Sequence, residues 1–136
     1  MTQNEKPANP LNRMISLAKT GPIAIIARFI DQFHRKRTGV PYWQMSEVTS
    51  QLYCGGQHYP KGYDAMLKRG ITGIVNMREE YHSDIDKGVG GEKHLHLVTR
   101  DNTPPKVDDL IEGAKFIHDE IEDGGKVYVH CGVGVG

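Results

Sequence analysis

The sequence predicts an α/β fold with a mostly parallel central sheet flanked by helices. Three observations carry this expectation. Short β-branched apolar runs at 71–77 (ITGIVNM) and 126–130 (KVYVH) suit strands covered on both faces. Between them, Val107, Leu110, Ile111, Ala114, Ile117 and Ile121 recur at helical spacing. From residue 45 on, strands and helices alternate, which is the order that builds parallel sheets.

Size and composition agree. A chain of 136 residues is one domain, or one domain plus a tail. With 38% apolar and 25% charged residues it can bury a core, and wholesale disorder is excluded. Lys plus Arg and Asp plus Glu number 17 each, so the net charge of zero argues against a nucleic-acid-binding polycation. Two Cys, not in a CxxC pair, exclude a disulfide scaffold. No run approaches the ~18–20 apolar residues of a membrane span.

The balance of charge hides two segments. Residues 1–40 carry seven Lys/Arg against two Asp/Glu, and the remainder is acidic. We read 1–44 as an N-terminal tail and 45–136 as the folded domain. Within the tail, residues 11–37 suit an amphipathic helix, with Ile23, Ile26, Ile30 and Phe33 on one face. Gly21-Pro22 would kink or restart it, and His34-Arg35-Lys36-Arg37 would end it. This helix either packs on the domain or makes peripheral contact with an anionic membrane. A cytoplasmic location is expected, with or without that contact.

In the domain, residues 47–54 read as one strand stopped by Gly55-Gly56, with Cys54 in the core. Residues 61–69 read as a short helix ended by Gly70. The acidic, glycine-containing stretch 79–92 reads as loop. In 93–98, Leu95 and Leu97 alternate with His94 and His96. The loop RDNTPPK follows, then the long helix over 105–122 with its prolines in the first turn.

The chemistry lies in the last seven residues. Strand 126–130 runs into His130-Cys131-Gly132-Val133-Gly134-Val135-Gly136. Glycines let successive N–H groups turn inward, forming an anion cradle with a thiol at its base. Inward N–H groups bind phosphate and favour a thiolate. A thiolate beneath a bound phosphate is placed for in-line attack.

These residues resemble the signature H-C-x-x-G-x-x-R of the cysteine-dependent dual-specificity and tyrosine phosphatases. His130, Cys131 and Gly134 match three of its positions. Two more segments agree in order: SQLYCGGQ with GITGIVNMREE resembles the opening strand-helix-strand, and HLVTRDNTPP resembles the acid loop. The resemblance implies that Cys131 attacks phosphorus and that His130 shapes the loop. Amides of Gly132, Val133, Gly134, Val135 and Gly136 would hold the phosphate oxygens. Asp101 would act as general acid and then as general base. It implies no metal or cofactor. His94 and His96 share a strand face in zinc-like spacing, but no Cys or carboxylate partner lies close in sequence.

The signature Arg, a bidentate clamp on the phosphoryl group, would fall one residue beyond Gly136. We therefore expect a domain incomplete at its C-terminus, a fragment with little turnover of its own. Its substrates would be phosphorylated proteins, carrying phosphotyrosine alone or phosphoserine and phosphothreonine as well, or phosphorylated small molecules. A phosphate-binding pseudophosphatase is the alternative. A dinucleotide-binding half-domain fits worse, because its G-x-G-x-x-G opens a helix near the start of a domain.

Overall fold

The computed structural model describes residues 21–80 and 83–133. Residues 1–20, and with them the first part of the expected tail helix, lie outside the described residues. Helix α1 spans Pro22–Thr38. Proline at its first position needs no hydrogen-bonded N–H, and Gly39, at φ +85°, closes its C-terminus. A single turn, α2 (Trp43–Ser46), leads into β1 (Glu47–Thr49) and β2 (Leu52–Gly55). After a 3-10 turn at Pro60–Gly62 come α3 (Tyr63–Arg69), β3 (Gly73–Asn76), α4 (Ser83–Gly90) and β4 (His94–His96). Helix α5 (Val107–Glu122) and strand β5 (Val127–His130) complete the order.

The sheet has five strands in the order β1-β2-β5-β3-β4. Only the β1–β2 pair is antiparallel; β2, β5, β3 and β4 run the same way. The expected mostly parallel, helix-flanked sheet is therefore the fold. Side chains alternate along the central strands and divide the core in two. Ile74 and Tyr128 join Val40, Tyr53, Met66, Ile71 and Val89 on the side of α3 and α4. Val75, Val127 and Val129 join Leu97, Phe116 and Ile117 on the side of α5.

Four local expectations need correction. The segment 47–54 is a hairpin and not one strand. Thr49 Oγ1 accepts the N–H groups of Gln51 and Leu52, at 3.2 and 3.0 Å, and turns the chain there. The stretch 79–92 contains a helix, α4. Its Gly88 is a packing residue, because a Cβ there would sit 2.2 Å from the Tyr63 ring. Helix α5 begins two residues after Pro105, so the prolines precede its first turn. Its first half also leaves Val107, Leu110 and Ile111 exposed, and the face on the sheet starts at Gly113. Cys54 is exposed and not in the core.

Helix α1 also differs from a simple amphipathic element. Its stripe of Ile23, Ile26, Phe29, Ile30 and Phe33 faces outward. Its C-terminal end is what docks: Arg35 is buried, Tyr59 N–H donates to Gly39 O at 2.9 Å, and Val40 enters the core.

Candidate active site

Because β2, β5, β3 and β4 are parallel, their carboxyl ends open on one edge of the sheet, where α/β proteins bind ligands. A cleft of about 650 Å³ lies there. Cys131 enters it directly from β5, Arg78 from the end of β3, Asp101 from the loop after β4, and Cys54 and Gly55 from β2. Residues thirty positions apart in sequence, Cys131 and Asp101, thus line one cavity. His130, Gly132 and Val133 line it too, whereas Gly134, Val135 and Gly136 lie outside the described residues.

Cys131 is half-buried, and its N–H donates to Gly55 O at 3.2 Å, which ties the start of the loop to β2. The neighbouring turn fixes Asp101 at the rim. Thr103 donates its N–H and its hydroxyl to Arg100 O at 3.1 and 2.7 Å, and Asn102 takes a left-handed φ of 60°. Asp101 itself is exposed. Cys54 shares the cleft wall; partial burial and then the nearby Cys131 push its thiol above its usual range.

Arg78 reaches across the cleft floor. Its Nη1 donates to Gln57 Oε1 at 3.0 Å and its Nη2 pairs with Glu80 at 3.3 Å. Its backbone is held as well, the N–H by Asn76 Oδ1 at 2.8 Å and the carbonyl by His96 Nε2 at 2.6 Å. His96 is thereby used to place an arginine. A Cβ built on Gly132 would come within 3.8 Å of Arg78 Nε.

Behind the loop sits a buried polar cluster. His130 Nε2 donates to Asp86 Oδ1 at 2.9 Å, and His130 Nδ1 lies 3.2 Å from Cys131 O. His130 stacks on Tyr128, with ring centroids 6.0 Å apart, and meets the edge of His58 at 5.3 Å. His58 Nε2 donates to Ile85 O at 3.2 Å. Burial, followed by the adjacent His130, lowers the pKa of His58 to about 4. Burial also raises the Tyr128 phenol, whose hydroxyl donates to Gly56 O at 2.5 Å.

Among the described residues, His58, Asp86 and His130 are the group with donors for a metal, their ligand atoms within 4.8 Å of one another. The His130–Asp86 hydrogen bond already occupies two of those atoms. Asp86 was not legible as a site residue, because it lies in the stretch read as loop. Its signal was the pair Ile85 and Val89, four apart as on a helix, hidden by Gly88, Gly90 and Gly91.

A strand-borne Cys131 at the carboxyl edge of a parallel sheet, faced by an acid from another loop, is the arrangement of the cysteine-dependent phosphatase class. Residues 49–136 match the family described as "Polymorphic toxin system, DSP-PTPase phosphatase", and the chain belongs to that family. Among solved structures the chain is similar to Tk-PTP in its active form, with 24% identity and a TM-score of 0.58 over 67% of this chain and 63% of that one. It is also similar to the PTP-2 phosphatase of Cydia pomonella, with 18% identity and a TM-score of 0.57 over 66% of this chain and 60% of that one. At these identities the likeness is one of fold, and the chain spans less than two thirds of either structure. No curated protein matches the chain.

Proposed function

We propose that this domain hydrolyses phosphomonoesters through a cysteinyl-phosphate intermediate. The observation that carries the reading is the shared cleft of Cys131 and Asp101 at the carboxyl edge of the sheet. The Cys131 thiolate attacks phosphorus, and the S–P bond forms as the bond to the leaving oxygen breaks. Asp101 gives its proton to that oxygen. A water then attacks phosphorus while Asp101 takes its proton, and the S–P bond breaks to release phosphate. The proposed substrates are phosphorylated proteins, with phosphotyrosine first, and phosphorylated small molecules.

The 136-residue polypeptide holds the nucleophile and the acid but not the signature arginine. We expect it to form the intermediate slowly and to turn over little. The test compares residues 1–136 with the same chain extended by an Arg-led helix, using p-nitrophenyl phosphate. Gain of hydrolysis on extension, lost again in Cys131→Ser, supports the reading. Hydrolysis that survives Cys131→Ser rejects it. Vanadate binding with no hydrolysis in the extended chain favours the pseudophosphatase alternative.

A second observation concerns the surface. No helix among the described residues is long and apolar enough to cross a membrane. The outward stripe of α1 nevertheless presents five large apolar side chains, with Lys36 and Arg37 one turn beyond Phe33. We propose that it rests on an anionic bilayer surface and that the domain acts from the cytoplasmic side.

A further inference from the structure

The family match begins at residue 49, so it leaves α1 without a role. Yet one α1 side chain, Arg35, reaches the loop that follows the nucleophile. Arg35 is 1% exposed. Its Nη2 donates to Val133 O at 2.9 Å, across 98 residues of sequence. Its Nη1 donates to Gln57 O at 2.9 Å, and its Nε to Asp31 Oδ2 at 2.7 Å. Three donors of one planar group thus bind acceptors on three segments.

The loop is held a second time from the same quarter. Gln57 N–H donates to Gly132 O at 2.9 Å. In a trans peptide the carbonyl and the following N–H point to opposite sides, so a fixed Gly132 carbonyl commits the Val133 N–H to the other face. Anchoring the next carbonyl, that of Val133, on Arg35 fixes the following peptide plane as well. Successive carbonyls held outward are what an anion-binding nest of N–H groups requires.

Burying a guanidinium is costly unless it is paired and fully bonded. Asp31 supplies the pairing, and its other oxygen accepts the N–H of Tyr42 at 2.8 Å, which fixes the exit from α1. Room for the guanidinium comes from Gly56, where a Cβ would lie 2.3 Å from Arg35 Cζ. A lysine would deliver the same charge to one acceptor but could not span three.

We propose that Arg35 is a positioning residue of the phosphate-binding loop, so that α1 is part of the catalytic unit and not a detachable tail. The inference rests on the phosphate-binding role proposed above for that loop. It goes further by assigning part of the loop's geometry to a helix outside the family match.

The test uses the whole 136-residue chain beside its Arg35→Lys variant. Three quantities are read: the melting temperature, the hydrogen exchange of the Gln57 amide, which donates to Gly132 O while Arg35 holds the Gln57 carbonyl, and the rise in melting temperature caused by inorganic phosphate. The expected result is exchange about tenfold faster or more and loss of most of the phosphate-induced rise. Exchange at the parent rate overturns the proposal. So does faster exchange with an unchanged phosphate effect, which would make Arg35 a structural prop only. If Arg35→Lys does not fold, Asp31→Asn removes the paired charge and leaves one amide oxygen for both Arg35 Nε and the Tyr42 N–H, and is read by the same criteria. If the parent chain shows no phosphate effect, the phosphate readout is repeated on the chain extended by the Arg-led helix; no effect there rejects the phosphate-binding role of the loop, and loop exchange alone then decides the role of Arg35.

Discussion

His130 Nε2 and Asp86 Oδ1 are 2.9 Å apart, and both side chains are sealed from solvent. The residue before Cys131 is thus anchored to a helix, α4, that lies outside the cleft lining. For Asp86 to accept this bond, His130 must carry a proton on Nε2. Asp86→Ala would leave a buried imidazole without its acceptor. A loss of about 3 kcal/mol of stability is expected, read as a fall in the urea midpoint with an unchanged m-value.

His58 makes stability depend on pH. Its folded pKa is lowered from 6.5 to about 4 by burial and by His130. Between those values the unfolded chain takes up a proton that the folded chain refuses. Stability therefore falls as the pH drops from 6.5 towards 4, by about 3 kcal/mol in full. Urea titrations of the parent and of His58→Gln should show a shallower acid slope in the variant. Parallel slopes would remove His58 as the cause.

Gly56 has a side-chain-free surface for one reason, the Arg35 guanidinium against it. Gly56→Ala should cost about 2 kcal/mol or more, because the neighbour is a buried, triply bonded group and cannot swing away. Gly91→Ala, with open space around the new Cβ, carries only the strain of a positive φ and serves as the comparison. Thermal melts of the two should rank Gly56→Ala as the more damaging.

The α1 stripe predicts binding to vesicles. Ile26→Asp with Phe33→Asp should reduce sedimentation with phosphatidylserine-containing vesicles about tenfold or more. Because both side chains are exposed, the melting temperature should hardly move. Equal sedimentation of the two proteins would dismiss membrane contact by this face.

Much of this was readable from the chain. The apolar runs at 71–77 and 126–130 are β3 and β5, and the 105–122 periodicity is α5, because buried strands and long helices stamp their period on the sequence. Cys131 stood out through the glycines after it. What stayed hidden depends on distant contacts. Gly88 looks like a loop former until the Tyr63 ring is seen against it. Arg35 looks like one more basic residue at a helix end, since Val133 lies 98 positions away. Asp86 was lost together with its helix. In each case a side chain's meaning is set by a partner that no local pattern names.

The strand order has a consequence for synthesis. Strand β5 is the last of the five to leave the ribosome, yet it lies between β2 and β3 and pairs with both. Until it arrives, β2 and β3 have no common partner and the two halves of the core cannot close around them. Such late, long-range pairing delays closure of the sheet until β5 has been made. Cys131, the proposed nucleophile, follows directly on that same strand. Closure of the sheet and placement of Cys131 at its carboxyl edge are therefore one event.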